Sequence, residues 1–217
     1  MRSSAAALLL ALLAGGAQAQ HLDQHEAATL PRIIDSLCVD LHPETGCETA
    51  ILLQSSEEPD TADLVILGDR RSAAGAQPLA VARAIVFNGA MWGMAPSLEA
   101  GEARTLTLLS EQIGIGRNAW MQALTIGYGP DGFAVRAFHW STYDRAIGGA
   151  FSCDLDLATG VYGLEASAAN PETGEERVLF AETGSVPAGV VPVSDWPAFG
   201  PLPAPCEEGH ARYAARE

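Results

Sequence analysis

Hydrophobic and polar positions alternate with a period of two through the middle of the chain, and between residues 118 and 165 that alternation predicts two consecutive β-hairpins. In the first, residues 120–128 meet residues 133–140 across Gly129, Pro130, Asp131 and Gly132. Proline presets one turn dihedral and glycine accepts the left-handed one. A three-residue loop with a bulge pairs Gly129 with Phe133. It sets Gln122 opposite Trp140, Leu124 opposite Phe138 and Ile126 opposite Arg136. The other face then carries Phe133, Val135, Ala137 and His139 against Gly129, Gly127, Thr125 and Ala123, large residues against small ones, which fills a sheet covered on both sides. The second hairpin places Phe151, Cys153, Leu155 and Leu157 on one face and Ser152, Asp154 and Asp156 on the other, with its turn at Ala158, Thr159 and Gly160.

The flanking pattern is weaker. Ile33, Ile34, Leu37, Cys38 and Leu41 recur at three- and four-residue spacing, which predicts a short amphipathic helix over residues 29–41, capped by Thr29 and ended by His42 and Pro43. Apolar runs predict strands over residues 48–53, 64–67, 79–87, 102–109 and 177–182, the last with Val178 and Phe180 inward. Met91, Trp92 and Met94 read as filling an irregular gap in the core. Two glycines at 114 and 116 precede a strand rather than a helix, so they make a bend and not a nucleotide-binding loop. From Gly184 onward, prolines at 187, 192, 197, 201, 203 and 205 predict an extended tail packed by Val190, Val193, Trp196, Phe199 and Leu202. The class this implies is mainly β: an antiparallel sheet, small β-sandwich or partly open barrel, with one short N-terminal helix and a proline-rich C-terminal tail.

The amino terminus changes the setting. Arg2, an apolar run over residues 5–14 and small residues at Ala17 and Ala19 form a secretory signal pattern with cleavage after Ala19. The expected layout is a signal peptide over residues 1–19, one β-rich domain over 20–206 and a flexible tail over 207–217. Loss of the signal takes Arg2 with it and leaves 11 basic against 27 acidic side chains, a net charge of −16 with histidines neutral. The chain has no lysine. So acidic a surface repels nucleic acid and anionic membranes and favours a partner with a basic surface. No later segment has membrane-spanning length, so no span is expected after signal cleavage, and the expected location is the periplasm or the exterior.

Cys38, Cys47, Cys153 and Cys206 all lie beyond the signal, and an even number in an oxidising compartment reads as two disulfides. Spacing favours 38 with 47 across a short turn and 153 with 206, the latter tying the tail to a strand. In the loop-entropy picture these bridges are worth about 2.7 and about 4.2 kcal/mol respectively.

Candidate chemistry is sparse. Asp154, Asp156 and Gly160 loosely suggest a calcium loop, but Ala158 occupies a position that should supply oxygen. The histidines share no metal-ligand spacing, so neither metal nor cofactor is expected. His139, Ser141 and Asp144 bring base, nucleophile and acid types together at one strand end, the basis of an alternative reading as a hydrolase, yet no Gly-x-Ser-x-Gly elbow is present. The preferred reading is an exported accessory or protein-binding protein. Its expected contact is the loop over residues 141–150 with Trp140, Tyr143, Asp144 and Arg145, which combine aromatic area with charge beside glycines.

The acidic loop before residues 62–67, the Gly116-Arg117-Asn118-Ala119-Trp120 strand start and the Ser152-Cys153-Asp154 strand together resemble exported proteobacterial β-rich proteins without known activity, and a single blade of propeller-type secreted repeats. The resemblance covers residues 62–165 and implies a fold, not a function.

Overall fold

The computed structural model describes residues 23–44, 46–71, 75–170 and 172–215; the expected signal peptide and its cleavage site lie outside them. Helix α1 (Gln24–Thr29) opens the described chain under a capping box in which Asp23 accepts from His25 and Glu26 N–H and the Glu26 carboxylate reaches back to Asp23 N–H. Strands β1 (Ile33–Val39), β2 (Glu48–Gln54), β3 (Thr61–Leu67) and β4 (Pro78–Phe87) then form a four-stranded antiparallel meander. A second meander follows in strict chain order: β5 (Ser97–Ala100), β6 (Thr105–Gln112), β7 (Asn118–Gly129), β8 (Gly132–Asp144), β9 (Gly149–Asp156), β10 (Val161–Ala169) and β11 (Glu176–Ser185). Its order leaves β5 and β11 at the edges, so this sheet is open. The two-residue β12 (Val191–Pro192) pairs with β8 at Val135 and Ala134, just beyond the point where β9 ends at Ala137. Helix α2 (Ala204–Ala214) closes the fold.

One apolar cluster runs through both sheets, from Leu52, Leu64, Ile66 and Val86 in the first to Leu106, Leu124, Phe138 and Phe151 in the second. Polar bonds fasten the junction: Leu98 N–H donates to Asp35 Oδ2 at 2.7 Å, and Ser110 Oγ donates to the Phe87 carbonyl at 2.9 Å. We call the side of the large sheet that faces this cluster inner and the opposite side outer.

The central hairpin keeps the expected register in its upper half, with Gln122 opposite Trp140 and Leu124 opposite Phe138. Nearer the turn it differs. Gly129 pairs with Gly132, leaving only Pro130 and Asp131 as the connection, and the extra residue is absorbed at a bulge where Ile126 faces Val135 instead of Arg136. A bulge reverses the alternation beyond it. Phe133 and Val135 therefore join Phe138 on the buried side, Arg136 is exposed, and the expected grouping of Phe133 and Val135 with His139 does not form.

Five further expectations are corrected. The three- and four-residue spacing over 29–41 belongs to strand β1, and the short N-terminal helix lies earlier, at Gln24–Thr29. A bulge between Ile33 and Asp35 disturbs the period of two there, and pairing with β2 across the Cys38–Cys47 disulfide outweighs local helical spacing. On β11 a bulge at Leu179 turns Val178 outward while Phe180 stays with the core. Met94 is buried, but Met91 and Trp92 are exposed. The proline-bearing segment over residues 186–203 is a strap across the inner face rather than a tail: Val193 is buried, Trp196 and Leu202 pack on the core, and Val190 and Phe199 stay exposed. Residues 204–214 continue as α2 and are not a loose end.

The Cys153–Cys206 disulfide fastens α2 to β9, with Cα atoms 5.4 Å apart. Gly209 lets the helix lie flat, because a Cβ there would come within 2.9 Å of the Phe151 ring and 2.8 Å of Leu164. Phe151, Tyr213 and His210 then pack together beside Trp140. Two disulfides fit an oxidising, non-cytoplasmic compartment. Among the described residues no helix is long and apolar enough to cross a membrane.

Candidate functional site

Alternation decides where the candidate residues go. β8 runs without a bulge from Ala137 to Asp144, so odd and even positions face opposite ways. Trp140 points inward, its ring 4.9 Å from His210 and 6.0 Å from Phe151. Asp144 also lies on the inner side and is 2% exposed. His139, Ser141 and Tyr143 share the outer face. The expected catalytic set of His139, Ser141 and Asp144 is thus split by the sheet. Five residues along a strand is an odd step, and it turns the acid away from the base.

The acid that meets His139 is Asp154, directly across the ladder on β9, with Nδ1 2.7 Å from Oδ1. Ser141 and Ser152 form the next cross-strand pair on the same face. Sequence reasoning placed Asp154 on a solvated strand face; its partnership follows once the two hairpins are joined in register. Asp156 accepts from Ala158 and Thr159 N–H and so closes the β9–β10 turn. Among the described residues no group of three or more His, Cys, Asp or Glu side chains is placed to hold a metal ion.

Asp144 and Arg145 organise the loops at this end of the sheet. Asp144 Oδ2 lies 2.5 Å from Arg117 Nη2, and Oδ1 accepts from Ala146 N–H at 2.7 Å. The Arg117 guanidinium and the loop amides hold its carboxyl below the usual carboxylate value, against the opposing effect of burial. Arg145 donates to the carbonyls of Gly116 and Ile113, and its own N–H donates to the Arg117 carbonyl at 3.1 Å. Asp144 is buried and the exposed Arg145 guanidinium is engaged by loop carbonyls, so both charges expected to meet a partner bond within the protein, and Tyr143, 47% exposed, is the accessible aromatic of that group.

A third loop joins these two. The buried thioether of Met94 accepts from Ile113 and Gly114 N–H at 3.0 and 3.1 Å. Gly114 permits the approach, since a Cβ there would lie 3.3 Å from the sulfur. The cross-bonded loops hold large apolar side chains outward: Met91 is 78% exposed, Trp92 54%, and Ile113 and Ile115 are exposed with them. No sequence signal separates such residues from core ones, because burial was the natural assignment for Met and Trp. Ile113 and Tyr143 also border a shallow cavity of about 330 Å³ on the outer face, floored by Met121, Ser141, Ser152 and Ser167 and flanked by Glu165 and Glu176.

No known protein family, curated protein or solved structure matches the chain. Residues 62–165, expected to form one blade-like unit, are divided between the two sheets.

Proposed function

We propose that this chain is an exported accessory protein, built as a small β-sandwich, that binds a partner through the loop end and outer face of its large sheet. The observation that carries the reading is the set of large apolar side chains held outward on three loops that are bonded to one another. Loops fixed by Arg145, Met94 and the Arg117–Asp144 pair are preorganised, so little ordering cost remains on association. Burying Met91, Trp92 and Ile113 is worth roughly 1.5–3 kcal/mol apiece before the cost of association. An apolar patch beside polar residues is the usual mark of a protein-binding surface. Glu165 and Glu176 line the outer-face cavity that Ile113 borders, and together with the acidic composition they suit a partner that carries basic groups beside its apolar contact.

Pull-down from periplasmic or culture-fluid extract with the immobilised, oxidised protein tests this. Replacing Trp92 and Tyr143 together by alanine should abolish capture while the melting temperature stays within a few degrees. Salt at about 0.5 M, where the Debye length is about 4 Å, should release a basic partner progressively. Capture that survives the double substitution sinks the proposal.

The His139–Asp154 pair, with Ser141 and Ser152 beside it, supports a second reading as a hydrolase in which Asp154 takes the role first given to Asp144. Hydrolysis of ester, peptide or glycan substrates that disappears in His139→Ala, with the fold intact, would establish it.

A further inference from the structure

The strap does not lie flat on the inner face. Between it and β7 and β8 is a half-enclosed cavity of about 320 Å³, walled by Phe138 and Leu157 on one side and Trp196 and Leu202 on the other. The Trp196 and Phe138 rings meet at 5.4 Å where the strap packs on the sheet. No charged residue lines it, although charged residues make up 18% of the chain. Its polar side chain is Gln122, which is half-buried and whose amide has no hydrogen-bond partner among the described residues.

The fold keeps this space open. The strap is pinned by β12 to β8, by Ala198 N–H to the Ala84 carbonyl at 2.7 Å, and by the Cys206 disulfide to β9. Pro197, Pro201 and Pro203 fix φ at three positions between those points, which stiffens the strap across the gap.

We propose that this cavity binds a small, neutral, apolar molecule carrying one hydrogen-bonding group, which faces Gln122. The volume sits at the lower end of the range for small-molecule sites, about 300–1,000 Å³. A mainly apolar lining with one placed polar group is the usual make-up of a small-molecule site. A carboxylate or ammonium would lose its hydration without meeting a counter-charge, and the protein's negative field opposes an anion further. The Gln122 amide offers both a donor and an acceptor, so it can satisfy a hydroxyl, carbonyl or amine head group.

The test uses N-phenyl-1-naphthylamine, a neutral fluorescent probe with a single N–H, beside its sulfonated analogue 1-anilinonaphthalene-8-sulfonate, each titrated into the full oxidised protein. The neutral probe should bind saturably at one per chain, and the sulfonated one about tenfold or more weaker. Ala198→Phe, which fills the cavity, should remove binding; Gln122→Leu should weaken it about tenfold by leaving the probe N–H unpaired. Should Ala198→Phe fail to fold, Gln122→Leu still decides the matter. Equal binding of the two probes, affinity unchanged by Gln122→Leu, or a dimer in sedimentation that excludes the probe would overturn the assignment, the last in favour of a second copy of the chain as occupant.

Discussion

The inner face of the large sheet is covered by the small sheet, by the strap and by α2, and it is fastened there by a disulfide; the outer face, built from the alternate residues of the same strands, is covered by none of them. Phe151 and Ser152 are neighbours in sequence and belong to these two environments. The former packs against Trp140, His210 and Tyr213, and the latter floors an open cavity. The contrast teaches that a period of two separates work as well as side chains. One set of positions is buried in the core, and the interleaved set stays on the uncovered side.

The covalent tie should dominate. Replacing Cys153 by serine should cost about 4 kcal/mol from the opened loop, with more from a buried hydroxyl, whereas Cys38→Ser should cost about 2.7 kcal/mol. Denaturant midpoints under non-reducing conditions measure both, and equal midpoints would mean that the strap and α2 stay seated without their bridge.

Next comes packing. Phe151→Ala should destabilise by about 3–5 kcal/mol, while Ser152→Ala should stay within about 0.5 kcal/mol. Comparable losses at the two positions would break the division between the faces.

A smaller effect is expected at Asp144. Its carboxyl titrates below the ordinary 3.8, chiefly through the Arg117 pair, so its contribution is present above that value and is lost as pH falls through the lowered one. Asp144→Asn should therefore flatten the acid limb of the stability curve and leave its slope near neutral pH unchanged. Equilibrium unfolding across the acid range reads this directly.

The smallest effect sharpens the comparison most. Trp92→Ala and Tyr143→Ala should each alter stability by less than about 0.5 kcal/mol, because neither side chain is buried. A loss of several kcal/mol at Trp92 would make the loop end part of the core.

Much of this division was legible in the sequence, and the strand faces that were misassigned share a cause. The two central hairpins, both disulfide pairings and the upper register of β7 and β8 followed from alternation and spacing. Those faces lay beyond bulges at Ile34, Arg136 and Leu179, each of which adds a residue to one strand and reverses every face after it. No local residue pattern announces such an insertion, since it is fixed by the partner strand. The candidate site suffered differently. His139, Ser141 and Asp144 were grouped by nearness along the chain, whereas parity sends Asp144 to the other face and brings Asp154 from the next strand.

The meander order has a consequence for the route by which the chain assembles. Every neighbour within β1–β4 and within β5–β11 is also the next strand in sequence, so each ladder can grow by short loop closures as a chain is delivered from its N-terminus. The strap and α2 break that rule, returning to β8 and to a cysteine 53 residues earlier. They follow both meanders and seal what precedes them, so the latch closes only on a sheet already formed, and a molecule halted before that step leaves uncovered the part of its inner face that the strap and α2 occupy.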